Sequence, residues 1–142
     1  MEEIWRLGEP VISSGGEFRL FHKGTSMRPL LRQGIDSVIL VAPTDIKKND
    51  ILLYRRANGQ FVMHRAVKIK KDEYIMCGDN QRWLERGITR ENILAKVKGI
   101  YRDDTYFELD NKKYKRYVRM LPLRRVKYRI DGIGKEKQKT TD

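Results

Sequence analysis

The side chains that could do chemistry in this chain are few, and residue counts alone exclude most kinds of site. The chain has two histidines, His22 and His64, and a single cysteine, Cys77. One cysteine excludes an internal disulfide framework and a cysteine-rich zinc site, and nowhere do His, Cys, Asp and Glu residues cluster at metal-ligand spacing. Cys77 has no basic neighbour that would activate a thiolate, so we interpret it as a packing residue. We therefore expect neither a metal nor a cofactor.

The chemistry that remains is a hydroxyl nucleophile with an imidazole base. Ser26 lies in the turn Gly24-Thr25-Ser26-Met27-Arg28-Pro29, where Gly24 permits close backbone approach and Pro29 stiffens the exit. This turn lacks the glycine pattern and the Lys-Ser/Thr ending of a phosphate-binding loop. His64 could act as the base because imidazole titrates near neutral pH. Taken singly, a serine in a turn and a histidine on an apolar strand face are more often structural than catalytic.

Short strands separated by turns must position these two residues. The pattern predicts strands over 17–22, 37–41, 51–55, 61–70, 74–77, 93–101 and 105–109. The dipeptide Asn58-Gly59 predicts a hairpin, and in its second arm Val62, His64 and Ala66 share one face. We expect a mainly β domain of the β-rich α+β class over 17–110, preceded by an N-terminal extension, 1–16, with a short helix. A basic amphipathic helical segment over 111–131 and a disordered tail over 132–142 complete the prediction.

The positive charge is concentrated in the C-terminal part of the chain. The formal net charge is +12, of which residues 111–142 carry +9 and residues 1–110 carry +3. Segment 113–130 combines basic side chains with an apolar stripe made of Tyr114, Tyr117, Val118, Leu121, Val126 and Ile130. Such a helix can pack its stripe on the β domain with a solvated basic face, which we favour, or lie on anionic lipid headgroups. Nucleic acid is the least favoured partner of this segment.

The sequence also bears on the location of the chain. Its longest apolar run, 38–42, has five residues, whereas a membrane-spanning helix needs about 20. The first residues have neither the basic nor the apolar region of a secretory signal. We therefore expect a cytoplasmic protein, peripheral at the membrane surface if segment 113–130 binds lipid.

Four boxes, in order over roughly residues 17–102, resemble those of the signal peptidase I and LexA-like serine peptidases. The stretch Gly24-Thr25-Ser26-Met27-Arg28-Pro29-Leu30-Leu31 is similar to the family's Ser-Met-x-Pro nucleophile box. Lys48-Asn49-Asp50-Ile51-Leu52-Leu53-Tyr54 looks like its Gly-Asp-Ile/Val-Val strand start. Val62-Met63-His64-Arg65-Ala66-Val67 is similar to the His-Arg-Val box of the endoplasmic-reticulum-type and archaeal signal peptidases, where histidine is the base. Gly78-Asp79-Asn80 is the fourth box.

The resemblance implies roles for individual residues. Ser26 would be the nucleophile and His64 its general base, with four neighbours shaping the loop and its oxyanion site: Gly24, Thr25, Met27 and Pro29. The family's Asp-Asp-Arg-Gly run falls on Leu84-Glu85-Arg86-Gly87, so Glu85 is the candidate third member, one methylene longer than aspartate. Leu84 departs from the pattern. The residues implied as structural neighbours of the site are Arg65, Gly78, Asp79 and Asn80, with Asp79 holding its turn or pairing with Arg65.

The resemblance implies a serine endopeptidase that cleaves a peptide or protein, in the manner of leader- or signal-peptide processing, through an acyl-enzyme. The 16 residues before the first strand show neither the membrane anchor of signal peptidases nor the DNA-binding domain of LexA-like proteins, so we expect a compact, core-only member of the superfamily. The alternative is a non-catalytic module that keeps the fold and binds nucleic acid or anionic membrane through its basic tail. Contact between Ser26 and His64, with Glu85 near the other ring nitrogen, favours the enzyme. Their separation by a strand or more favours the module.

Overall fold

The computed structural model describes residues 1–131, with side chains as far as residue 123. In chain order the elements are α1 (Glu2–Ser13), β1 (Phe18–Phe21), β2 (Ser37–Val41), β3 (Ile51–Arg55), β4 (Phe61–Lys70), β5 (Glu73–Cys77), β6 (Glu85–Ile88), a 3₁₀ turn (Arg90–Asn92), β7 (Ile93–Arg102), β8 (Thr105–Glu108) and α2 (Lys112–Asp131). The disordered tail predicted over 132–142 lies outside the described residues.

The strands form one antiparallel sheet, to which the chain adds two α-helices. The predicted fold class, mainly β within the α+β class, is confirmed. The order of the sheet is β1-β2-β7-β3-β4-β5-β6, with β8 paired to β7. β4 lies between β3 and β5 and is ten residues long. The strand that carries His64 is therefore held by β3 over its first half and by β5 over its second half.

The hairpin predicted from Asn58-Gly59 is confirmed between β3 and β4. The backbone N–H of Arg56 donates to the carbonyl of Gln60 at 2.8 Å, which closes a loop around Ala57, Asn58 and Gly59. Gly59 has a φ of +92°, a conformation that glycine adopts without a steric penalty. The register that follows sets Leu52 opposite His64.

The core consists of two apolar clusters on opposite faces of this hairpin. Leu53 and Met63 belong to the larger cluster, which α1 covers with Trp5 and Ile12. Leu52, Tyr54, Val62, Ala66 and Met76 belong to the smaller one. Because side chains alternate along a strand, His64 points to the face of the smaller cluster and Arg65 to that of the larger.

Helix α2 packs on the sheet through the described part of its stripe. Tyr114 lies in the larger cluster, with Tyr117 and Val118 packed against it, and Leu121 is 1% exposed. The basic residues of this part of α2 are exposed: Lys112, Lys113, Lys115, Arg116 and Arg119. The side chains of Val126 and Ile130 lie outside the described part of the chain. Association of α2 with an anionic membrane or with nucleic acid stays a prediction. No helix among the described residues has the length and apolar character to cross a bilayer.

Candidate active site

The candidate nucleophile sits in a loop that is bound to a second loop. Ser26 lies between β1 and β2, and the turn Gly78-Asp79-Asn80 follows β5. The N–H of Asn80 donates to the carbonyl of Ser26 at 2.8 Å, and the Asn80 side-chain amide donates to the carbonyl of Thr25 at 3.2 Å. The box that contains Ser26 and the Gly78-Asp79-Asn80 box are therefore in contact, and hydrogen bonds from Asn80 hold the backbone of the Ser26 loop.

The approach of the two loops depends on a glycine. A Cβ atom placed on Gly78 would lie 2.6 Å from the Ser26 carbonyl oxygen and 3.0 Å from the Ser26 Cβ, both closer than van der Waals contact allows. Below this contact Met27 is fully buried, and its Sδ accepts the N–H of Asp79 at 3.5 Å. Gly24, two residues before the serine, has a φ of +85°, and Pro29 follows a cis peptide bond.

The structure brings Ser26 and His64 into direct contact. The distance between Ser26 Oγ and His64 Nε2 is 3.0 Å, within the range of a hydrogen bond. Ser26 is 5% exposed and His64 is 1% exposed. Both residues come from different parts of the chain, 38 positions apart, so the contact results from the tertiary fold and not from local sequence.

A tyrosine and an ion pair occupy the other side of the imidazole. The hydroxyl of Tyr54 lies 3.2 Å from His64 Nδ1 and donates to Glu85 Oε1 at 2.6 Å. Arg56 holds the same carboxylate with two hydrogen bonds of 2.8 Å, from Nε to Oε2 and from Nη2 to Oε1. Glu85 therefore lies on the Nδ1 side of the imidazole, and the Tyr54 hydroxyl bridges the two side chains. The role of Glu85 as third member stays a prediction.

The electrostatics of this group keep Glu85 ionised. Burial would raise the pKa of its carboxyl, but hydrogen bonds from Arg56 and Tyr54, with the nearby positive charge of Arg56, lower it below its usual value of 4.5. Burial and the hydrogen bond to Glu85 raise the pKa of the Tyr54 phenol, so that phenol keeps its proton throughout the physiological range.

Arg65 and Asp79 form a buried ion pair beside the site. Both side chains are 0% exposed, and two parallel hydrogen bonds of 2.8 Å join them. Burial lowers the pKa of Arg65, but the hydrogen bonds and charge of Asp79 outweigh it and raise the pKa. Tyr114 of α2 accepts from Arg65 at 2.6 Å, and Tyr117 donates to Asp79 at 2.9 Å. The predicted pairing of Arg65 with Asp79 is present, and α2 is attached to it.

Sequence reasoning missed Tyr54 and Arg56. Tyr54 was predicted only as part of strand 51–55, because nothing in the local pattern distinguishes it from a core aromatic, and no role was predicted for Arg56. The signal that could have found Tyr54 is its distance from the hairpin turn, which determines whether it shares a face with His64. Arg56 carried no such signal because its partner, Glu85, lies 29 positions away.

A small cleft lies between the end of β1 and the first half of β4. It has a volume of about 120 Å³ and is lined by the end of β1 and the first half of β4, including Phe21, His22, Phe61, Val62 and Met63. His22, the second histidine, is 3% exposed. Within the described residues, no group of three or more His, Cys, Asp or Glu side chains is placed to hold a metal ion.

Scans against protein-family models, curated proteins and solved structures return no match to this chain.

Proposed function

We propose that this protein is a serine peptidase in which Ser26 is the nucleophile and His64 the general base. The observation that carries the proposal is the 3.0 Å contact between Ser26 Oγ and His64 Nε2. A nucleophile within hydrogen-bond reach of a base, which a third group orients, is the arrangement that serine hydrolases share. The resemblance of the four boxes to the signal peptidase I and LexA-like peptidases supports the choice of a peptide as substrate.

The proposed reaction proceeds in two halves. Ser26 Oγ forms a bond to the scissile carbonyl carbon while its proton passes to His64 Nε2, and the carbonyl oxygen becomes an oxyanion. The imidazolium then gives that proton to the amide nitrogen as the C–N bond breaks, which releases an amine and leaves an ester on Ser26. In the second half water attacks the ester, its proton passes to His64, and the proton returns to Ser26 Oγ as the acid leaves. The backbone N–H of Ser26 is the proposed oxyanion donor.

An extended peptide is the substrate form that the sheet favours. Among the described residues, β1 pairs only with β2, and residues 61–64 of β4 pair only with β3, because pairing to β5 starts at Arg65. Both segments line the small cleft between β1 and β4, so each has backbone groups available to an added strand. Two or more residues of a bound peptide would lie along β4, which leads directly to His64.

The proposal is tested by trapping the nucleophile with a peptidyl phosphonate that reacts with activated serines. We expect mass spectrometry to place one adduct on Ser26 in the folded protein and none after denaturation in urea. Ser26→Ala should abolish labelling, and His64→Ala should slow it at least about 100-fold, since a general base contributes about 10²- to 10⁴-fold. Ser14→Ala, an exposed serine at the end of α1, is the matched control and should label at the rate of the unaltered protein.

A peptide library completes the test, because labelling reports reactivity and cleavage reports function. We expect cleavage products that disappear in Ser26→Ala. If the folded protein neither labels nor cleaves, the proposal is overturned. The non-catalytic module, with binding through the basic C-terminal segment, then accounts better for the fold.

A further inference from the structure

We propose that Tyr54 is a positioning residue that sets the tautomer of His64, acting as a proton-directing bridge between the imidazole and Glu85. The catalytic consequence rests on the proposed peptidase function, whereas the tautomer itself does not. In the endoplasmic-reticulum-type signal peptidases that this chain resembles, an aspartate orients the catalytic histidine. This chain has the longer Glu85 at that place, and the Tyr54 hydroxyl lies between Glu85 and His64. The bridge is a feature of this chain's own geometry.

The direction of each hydrogen bond follows from counting protons. A phenol has one proton to donate, and Tyr54 gives it to Glu85 Oε1 across 2.6 Å. An ionised carboxylate can only accept, so this donation cannot be reversed. Toward His64 Nδ1, 3.2 Å away, the Tyr54 oxygen is then left as an acceptor. His64 must donate to it, and the proton of the neutral imidazole is therefore on Nδ1.

The consequence appears at the other ring nitrogen. A neutral imidazole carries one proton, so a proton on Nδ1 leaves Nε2 with a lone pair. Nε2 is the atom that lies 3.0 Å from Ser26 Oγ. The serine hydroxyl therefore donates to Nε2, which is the orientation that general-base catalysis requires. The opposite tautomer would aim an N–H at Ser26 and remove the base.

The bridge is rigid because each of its members is held. Tyr54 is 0% exposed in the smaller core cluster, so its ring cannot swing away from the imidazole. Arg56 fixes the Glu85 carboxylate at both oxygens, which leaves it one orientation toward the phenol. When His64 takes the serine proton, the anionic Glu85 stabilises the imidazolium through the polarised phenol.

Nitrogen NMR tests the tautomer without any substrate. The chain has only His22 and His64, so a protein labelled with ¹⁵N in its imidazoles gives two sets of signals, which His64→Ala assigns. In the neutral imidazole we expect His64 Nδ1 to carry the proton and Nε2 to be proton-free. In Tyr54→Phe, which removes only the hydroxyl, we expect the signals to shift toward a mixture of both tautomers. Tyr74→Phe is the control, since Tyr74 packs against the same cluster and should leave the signals unchanged.

A kinetic readout shows what the tautomer does. We expect Tyr54→Phe to slow phosphonate labelling of Ser26 about 10- to 100-fold, a part of the full contribution of a general base, whereas Tyr74→Phe labels normally. Glu85→Gln is the second variant. Its amide oxygen still accepts the Tyr54 proton, so it should keep the tautomer and lose only the stabilisation of the imidazolium.

The two proposals fail in different ways. His64 with its proton on Nε2 in the unaltered protein would overturn the bridge, whatever the labelling result. An unchanged tautomer and an unchanged labelling rate in Tyr54→Phe would overturn it too. The Nδ1-protonated tautomer together with an unreactive Ser26 would support the bridge and reject the peptidase.

Discussion

Replacement of Gly78 by alanine should disable the site by displacing its nucleophile. The added Cβ would lie 2.6 Å from the Ser26 carbonyl oxygen and 3.0 Å from the Ser26 Cβ. Ordinary contacts are about 3.5 Å or longer, so the two loops must separate by roughly 0.5 to 1 Å. The first of these atoms belongs to the backbone and cannot rotate away. The strain therefore moves Ser26 itself, together with the hydrogen bond from Asn80 that holds its carbonyl.

Two magnitudes follow from this displacement. Overpacking of a buried contact costs about 1 to 3 kcal/mol of stability, which a urea titration measures. A misplacement of the reacting group by about 1 Å costs about 100-fold in rate, which we expect to see in phosphonate labelling of Ser26. Gly8→Ala is the matched control. Its Cβ would meet the Phe18 ring at 2.7 Å, away from the serine loop, so it should change stability and leave labelling of the folded protein unchanged.

The comparison of the two variants can refute the reasoning. If Gly78→Ala folds and labels Ser26 at the original rate, the close approach of the turn does not determine the position of the nucleophile. If Gly8→Ala slows labelling as strongly, the effect is a general response to crowding and not a property of the site.

Two further predictions concern the charges around the site. Asp79→Asn leaves the Arg65 guanidinium, which is 0% exposed, without its counter-charge, and should cost about 3 to 5 kcal/mol; a urea titration that shows less than about 1 kcal/mol contradicts it. Because the pKa of Glu85 is lowered in the folded protein, its ionised form stabilises the fold above the unfolded pKa, and this contribution is lost as the pH falls through the folded pKa. The stability difference between the unaltered protein and Glu85→Gln should therefore be present at pH 7 and shrink as the pH falls below about 4, and a difference that stays constant to pH 2.5 contradicts this.

The parts of the fold that carry strong local signals could be predicted from the sequence. Strands β2 and β3 were predicted with the bounds that they have, and the hairpin was predicted from Asn58-Gly59. β6 was missed, because its four residues, Glu-Arg-Gly-Ile, include one buried side chain and no alternation of polar and apolar residues. It is a strand because β5 offers an edge to pair with, which is a tertiary cause that local patterns do not report.

Within the candidate site, too, some residues could be predicted from the sequence and others depend on tertiary contacts. Ser26, His64 and the Gly78 turn were predicted from the resemblance of their boxes to those of the peptidases, and the structure brings all three together. Glu85 could be placed only by counting from a family pattern, and its partners could not be placed at all. Tyr54 of β3 and Arg56, which follows β3, both contact Glu85 of β6, so these contacts depend on the register of the sheet.

The length of the hairpin loop between β3 and β4 decides that register, and a difference of one residue is enough to change it. A two-residue turn centred on Asn58-Gly59 would set His64 opposite Leu53, whereas the observed three-residue loop sets it opposite Leu52. A shift of one position exchanges the two faces of a strand, so in the shorter hairpin Tyr54 would point away from the imidazole. The observed loop places Tyr54 diagonally across from His64, within reach of an aromatic side chain. The tautomer proposed for His64 thus depends on the length of a turn that contacts neither Ser26 nor the imidazole.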